Sequence, residues 1–253
     1  MADQADGAPL YRLQRISKSF GHVEALRDVD IDVYKGEIIG LVGDNGAGKS
    51  TLIKILSGIY QPDRGRIDCM GQQRHITSYR DSQALGIATI YQDRALVDSV
   101  SIYRNIFMGN EITSPLGFMG KRKMREITRR LLRDSISIGL SNPDQPVGEL
   151  SGGQKQAVAI VRAIHFKARL LLLDEPTNAL SVKESQQVMA FVKGLRDEGI
   201  SSIFVTHNLF HVHSIADRFV ILNRGVKVGD YRKSEISIAK LEEIIVAGAE
   251  QSA

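Results

Sequence analysis

Apolar residues along this chain change period, and the changes mark out its elements. Tyr11 to Ile16 reads as extended, and Val29-Asp-Ile-Asp-Val33 alternates apolar and acidic with period two, which predicts a half-exposed strand. Glu37 to Val42 is a near-continuous apolar run that opens into a glycine-rich turn. The helix that follows carries Leu52, Ile55 and Leu56 and ends at Gly58. Pro62-Asp-Arg-Gly65 is turn chemistry leading to a strand over Arg66 to Met70, and a further strand is predicted around Ile87 to Tyr91.

From about residue 94 to residue 158 the pattern changes to helices and loops. Lys121 to Arg133 holds seven basic residues against one acid, with Ile127, Leu131 and Leu132 on one side. This predicts an amphipathic helix with a solvated basic face, the alternative being a face for phosphate or a partner. Strands and helices then alternate again. Leu170 to Leu173 has no polar residue at alternate positions, so it predicts a strand buried on both faces. Gln186 to Leu195 is helical, Ser202 to Thr206 and Arg218 to Leu222 are strands, and Asn223-Arg-Gly225 suits a hairpin turn. A helix and a small-residue tail follow Ser234. The class is α/β with a helical insertion.

Composition narrows the possibilities. With 43% hydrophobic and 25% charged residues, the 253-residue chain is ordinary globular material. Its 33 basic and 29 acidic side chains leave +4, a mild excess rather than a nucleic-acid-binding balance. The single Cys69 excludes an internal disulfide framework and any multi-thiolate metal site. No apolar run approaches bilayer-spanning length, and the acidic start MADQADGAPL lacks the pattern of a signal peptide. The expectation is a soluble protein of a reducing compartment that reaches membranes only through a partner.

Three stretches carry chemistry. Gly43-Asp44-Asn45-Gly46-Ala47-Gly48-Lys49-Ser50 satisfies G-x-x-x-x-G-K-[ST] between a strand and a helix. Backbone N–H groups there, with the helix N-terminus behind them, make a concave anion site, and side chains in place of the glycines would block phosphate approach. Lys49 supplies a point charge to the β- and γ-phosphates, and the Ser50 hydroxyl is a hard ligand for Mg²⁺. Leu170 to Leu173 leads into Asp174 and Glu175, about 125 residues after Lys49. In a nucleoside triphosphatase the first carboxylate holds the Mg²⁺ shell and the second orients or deprotonates the attacking water. Ser151-Gly152-Gly153-Gln154 heads the apolar-periodic segment Ala157, Val158, Ile160, Val161, Ile164 and has capping-box spacing. A cap explains Ser151 and Gln154 but not two adjacent glycines, which cost helix stability and suggest a second anion approach.

Over about residues 10 to 230 the sequence resembles the ATP-binding cassette (ABC) family. Leu150-Ser-Gly-Gly-Gln154 matches its signature motif, and the stretches running through Gly43–Thr51 and Leu170–Thr177 match its Walker A and Walker B segments. The resemblance implies a P-loop NTPase (RecA-like) core over 10–93 and 159–235 with an N-terminal antiparallel β subdomain. It also implies a helical signature subdomain at 94–158 and a C-terminal helix and tail at 236–253. It implies that Phe20 stacks on adenine, that Gln92 links Mg²⁺ and the lytic water to the membrane-facing subdomain, and that His207 contacts the γ-phosphate. His211 and His213 follow His207, but no carboxylate or thiolate in the pattern completes a metal site. Asn178-Ala-Leu-Ser181 departs from the family, in which most members have Asp where this chain has Ser181.

ATP and Mg²⁺ are the implied cofactors. In the family two cassettes pair head-to-tail, so that each ATP lies between the Walker A segment of one copy and Ser151–Gln154 of the other. One copy of each motif here therefore implies a homodimer. Ser99 to Glu111, Lys121 to Met124 and Asn178 to Glu184 are similar to monosaccharide importers of the ribose, xylose and fructose type. That likeness implies a peripheral subunit on the cytoplasmic side of the inner membrane, working on separate permease subunits and, indirectly, a periplasmic sugar-binding protein. The lack of a regulatory C-terminal domain and the single cassette favour fructose-type systems. Without heptads or cysteine clusters, a nucleic-acid-associated cassette is not expected.

Overall fold

The computed structural model of the protein describes residues 7–91, 96–135 and 140–250. In chain order they form β1 (Tyr11–Phe20), β2 (Val23–Val33), β3 (Ile38–Val42), α1 (Lys49–Leu56), β4 (Arg64–Cys69), β5 (Gln72–Arg74), α2 (Tyr79–Ala84), β6 (Ile87–Ile90) and α3 (Ile102–Phe107). Then come α4 (Lys121–Ser135), α5 (Gly152–His165), β7 (Leu170–Asp174), α6 (Val182–Asp197), β8 (Ser201–Val205), α7 (Leu209–Ile215), β9 (Arg218–Asn223), β10 (Val226–Arg232) and α8 (Ile238–Glu250).

Two sheets organise these elements. One is antiparallel, in the order β2-β1-β4-β5; the other runs β10-β9-β3-β8-β7-β6 and is parallel except for β10. The four leucines of β7 show why the second sheet needs two covering layers. Leu170 and Leu172 pack with Ile39, Leu41 and Leu52, whereas Leu171 and Leu173 pack with Val188, Phe204 and Phe219. A parallel strand between layers has no solvent face, so a continuous apolar run is what it requires. β2 faces water on one side only: Val29, Ile31 and Val33 are buried, while Asp28 and Asp30 are exposed. Arg218 ties the sheets together. It donates from Nε to Glu37 Oε1 (2.7 Å), from Nη1 to Asp230 Oδ1 (2.8 Å) and from Nη2 to the Asp32 carbonyl.

A third core gathers Ile102, Ile106, Phe107, Met124 and Leu132 against Ala157, Val158 and Val161 of α5. The opposite side of the same helix, at Ala159, Ile160 and Ala163, belongs to the core under the parallel sheet. The division expected at 158/159 thus falls inside an unbroken helix whose two faces serve two cores, and no linker separates them. At the other end, Ile236 and Leu241 are buried in the core beneath the parallel sheet, so α8 is docked rather than trailing.

Several elements run further than periodicity predicts, β2 beginning at Val23 rather than Val29 among them. β1 continues past Ile16 to Phe20 through Ser17-Lys18-Ser19, where register shifts break the alternation and Arg15 takes φ 50°. α6 starts at Val182 rather than Gln186, because Ser181 and Glu184 form a capping box that starts the helix among polar residues. The hairpin expected at Asn223–Gly225 is present: Asn223 pairs with Val226, and Arg224 and Gly225 take φ 47° and 78°.

Candidate functional site

After β3 the chain turns through Gly43–Gly48 into α1. Glycine is required here by the protein itself as well as by any ligand. A Cβ on Gly43 (φ 147°) would lie 2.1 Å from the Leu222 carbonyl oxygen, and one on Gly48 (φ 100°) 2.6 Å from that of Ala25. Gly46 (φ 79°) has no neighbour within 4 Å. Two of the three glycines therefore answer to close packing on β9 and β2, which the motif alone, read as phosphate clearance, does not reveal. The β9–β10 turn buttresses the loop: the Gly225 N–H donates to the Ala47 carbonyl (3.1 Å), and the Arg27 N–H to the Gly225 carbonyl (2.8 Å).

The N-terminus of α1 has no side-chain cap and no acid in its first turn, so its first N–H groups are open to an anion. Asp44, Asn45 and Ser50 are exposed, and Thr51 is half-buried. Lys49 donates from Nζ to the carbonyls of Gly43 (2.7 Å) and Asp44 (2.8 Å). Burial lowers its pKa, opposed by the charges of Glu175, Asp44 and Asp174.

Strand register supplies the other groups. β8 lies between β3 and β7, with Leu41 beside Val205 and Val205 beside Asp174. The loop after Val42, the pair Asp174–Glu175 and His207 consequently share one carboxyl edge of the parallel sheet, where α/β proteins hold ligands. Burial, then the neighbouring Glu175, raises the pKa of Asp174, with Lys49 and Lys54 opposing. Glu175 sits in the left-handed region at φ 49°, its N–H bonded to the Val205 carbonyl (2.9 Å). Strain of this kind collects at functional positions. The His207 N–H and ring Nδ1–H both donate to Glu175 Oε1, at 3.1 and 2.9 Å, and the His207 side chain is 71% exposed.

The chemistry at this edge fits Mg²⁺. Asp174 and Ser50 are hard oxygen donors, and the partly desolvated Asp174 carboxylate beside Glu175 is a place where a small dication would offset negative charge. Among the described residues no group of three or more His, Cys, Asp or Glu side chains forms a ready metal cage. His211 and His213 are engaged elsewhere, His211 near Thr177 Oγ1 (3.3 Å) and His213 stacked on Phe219.

Phe20 ends β1 with a ring 41% exposed, edge-on to Tyr60 (centroids 5.0 Å apart) and under the Lys18 ammonium (5.5 Å). Gln92 lies outside the described residues. Ser151–Gln154 stand on another element, the first turn of α5, where the Gln154 N–H donates to Ser151 Oγ (3.3 Å) and Gln154 Oε1 accepts from the Ser151 N–H (3.0 Å). One functional neighbour escaped sequence reasoning: Glu184 of α6, which accepts from the Gly153 N–H (3.1 Å). The Ser181-x-x-Glu184 spacing signals a cap, but nothing local shows that the same carboxylate reaches a second helix.

The profile of the family described as ABC transporter matches residues 26–178. The xylose/arabinose import ATP-binding protein XylG of Sulfolobus acidocaldarius is 42% identical over 240 residues, 95% of each chain. The fructose import ATP-binding protein FrcA of Rhizobium meliloti is 39% identical over 224 residues, 86% of each. Against ribose import ATP-binding proteins the chain spans about half the relative's length, 46% for RbsA 2 of Burkholderia ambifaria. The fold matches a solved ADP-conformation structure of the ATP-binding cassette MJ1267, with TM-score 0.80 at 25% identity over 95% of this chain and 96% of that one.

Proposed function

This chain belongs to the ABC transporter family, and from that premise we propose that it is the ATP-hydrolysing subunit of a monosaccharide importer. The observation that carries the ATPase half is the shared sheet edge of Lys49, Asp174, Glu175 and His207. The importer half is supported by 42% identity to a xylose/arabinose import protein over nearly the whole of both chains.

Gly43–Thr51 wrap the β- and γ-phosphates, with Lys49 exchanging its two loop carbonyls for phosphate oxygens. Phe20 stacks on adenine. Asp174, Ser50 and Gln92 would be the oxygen donors for Mg²⁺, which would offset the charge of the phosphates. Glu175 is the general base: His207 holds Oε1, and among the described residues Oε2 has no partner and is available to the water. His207, largely exposed, turns its ring toward the γ-phosphate when the site fills.

In the family two cassettes pair head-to-tail, and in that arrangement a second copy supplies Ser151–Gln154, which stand here at the start of α5, to complete each ATP site. ATP binding then favours the closed pair and hydrolysis reopens it, a two-state device that works on the permease subunits. Among the described residues no helix is long and apolar enough to cross a membrane.

The test is co-purification from native membranes, followed by ATPase assays with candidate monosaccharides and the matching binding protein. A sugar-type permease and hydrolysis stimulated by a pentose or fructose are the expected results. Hydrolysis indifferent to every sugar, with a permease of another class bound, removes the substrate and leaves the ATP site.

A further inference from the structure

The basic helix α4 plays no part in the ATP site. Met124, Thr128 and Leu132 are its buried positions, one on each successive turn. On the opposite face Arg122, Lys123, Arg129, Arg130 and Arg133 are exposed around Glu126, and Lys121 is exposed at the helix start. Only Arg125 of the seven cations forms an ion pair among the described residues, with Asp144 (2.6 Å), and it also covers the Tyr103 ring. The first turn holds no acid and three cations at the positive end of the helix dipole. That arrangement is unfavourable for an isolated helix, and an external anion relieves it.

The segment leading into α4 is unusual in a second, independent way. Residues 112–120 form a tight hairpin: the Gly120 N–H donates to the Ile112 carbonyl (2.7 Å), Ser114 to Phe118 (2.8 Å) and Gly117 to Ser114 (2.9 Å), and Thr113 bridges Met119. Its tip presents Leu116 at 83% and Phe118 at 72% exposure, the largest apolar groups of the loop held out into water on a hydrogen-bonded turn. A scattered apolar residue needs no account, but two on one turn, three residues before a row of cations, form a patch.

We propose that the 112–120 hairpin and the exposed face of α4 dock this subunit on an anionic lipid surface. Leu116 and Phe118 enter the boundary between headgroups and acyl chains, and Lys121, Arg122, Lys123, Arg129, Arg130 and Arg133 face lipid phosphates. Apolar groups beside clustered cations are what such a boundary selects, and neither alone holds a protein there. Nucleic acid would be met by the cations but has no use for an extended Leu–Phe tip. The surface is separate from the ATP edge and from the choice of sugar.

The test uses the whole chain and vesicles without any permease: phosphatidylcholine alone, and phosphatidylcholine with about 30% phosphatidylglycerol, a physiological anionic fraction. Sedimentation should show at least about tenfold stronger partition to the anionic vesicles, weakening as salt rises. The pair Leu116→Ser/Phe118→Ser and the pair Lys121→Glu/Lys123→Glu should each reduce it by about tenfold or more, with ATP binding unchanged. Because the chain has no tryptophan, Phe118→Trp gives a single tryptophan whose fluorescence, excited where tyrosine does not absorb, should shift blue on anionic vesicles. Equal partition to both vesicle types, unaltered partition of the Leu116/Phe118 variant, or tighter binding to duplex DNA than to vesicles at equal salt overturns the proposal.

Discussion

The Glu184 carboxylate joins two helices across 31 residues of sequence, accepting a hydrogen bond at Oε1 from the Gly153 N–H of α5 while Oε2 accepts from the N–H (3.0 Å) and hydroxyl (2.8 Å) of Ser181. The fit is close enough that a Cβ on Gly153 would lie 3.0 Å from the Cβ of Glu184. The second glycine of the signature stretch therefore has a packing reason, whatever anion it also meets. Ser181 serves as the N-cap that orients Glu184.

Replacing Glu184 by Ala should destabilise the protein by about 1–2 kcal/mol at neutral pH, the scale of a lost cap plus an unpaired N–H. Hydrogen bonds from Gly153 first and Ser181 next hold its pKa at about 2 against an ordinary 4.5. A depressed carboxylate stabilises above its unfolded pKa, and that contribution disappears as pH falls through the folded value. The gap between parent and Glu184→Ala in urea midpoints should thus shrink between about pH 4.5 and pH 2. A gap independent of pH would show that the charge is irrelevant.

Gly153→Ala should cost about 1 kcal/mol. Crowding against Glu184 works against the gain that alanine normally brings to a helix. Calorimetry distinguishes the cases, since without the contact the substitution would raise Tm.

Glu175→Gln should retain ATP binding and lower turnover roughly 10²–10⁴-fold, the usual worth of a general base. It should also accumulate an ATP-bound dimer visible in sedimentation. Parental turnover in this variant would assign the base elsewhere.

Lys49→Ala should weaken ATP binding by at least about tenfold, because a charge-assisted bond to phosphate is lost. Titration calorimetry on the isolated chain is sufficient, and undiminished affinity would remove Lys49 from the site.

Arg218→Ala should destabilise by about 1–3 kcal/mol, since it leaves the largely buried Glu37 without its charge partner, whereas Asp230 keeps Lys227 (3.2 Å). Denaturant unfolding measures this, and ATP affinity per folded molecule should be unchanged.

How much of this was legible in the chain depends on range. The strand at Leu170–Leu173, the turn at Asn223–Gly225, the Gly43–Ser50 loop and the Ser151–Gln154 cap are local patterns. Periodicity, turn chemistry and capping act over a few residues, so the sequence by itself determined these elements and the types of group each carries. Tertiary structure alone decided what those groups press against. Gly43 and Gly48 face the carbonyls of Leu222 and Ala25, α5 divides its faces between two cores, and Arg218 reaches Glu37 across 181 residues. Glu184 meets Gly153 only because α5 and α6 converge. Such contacts leave no period along the chain, because their partners are brought together by strand order and helix packing rather than by spacing.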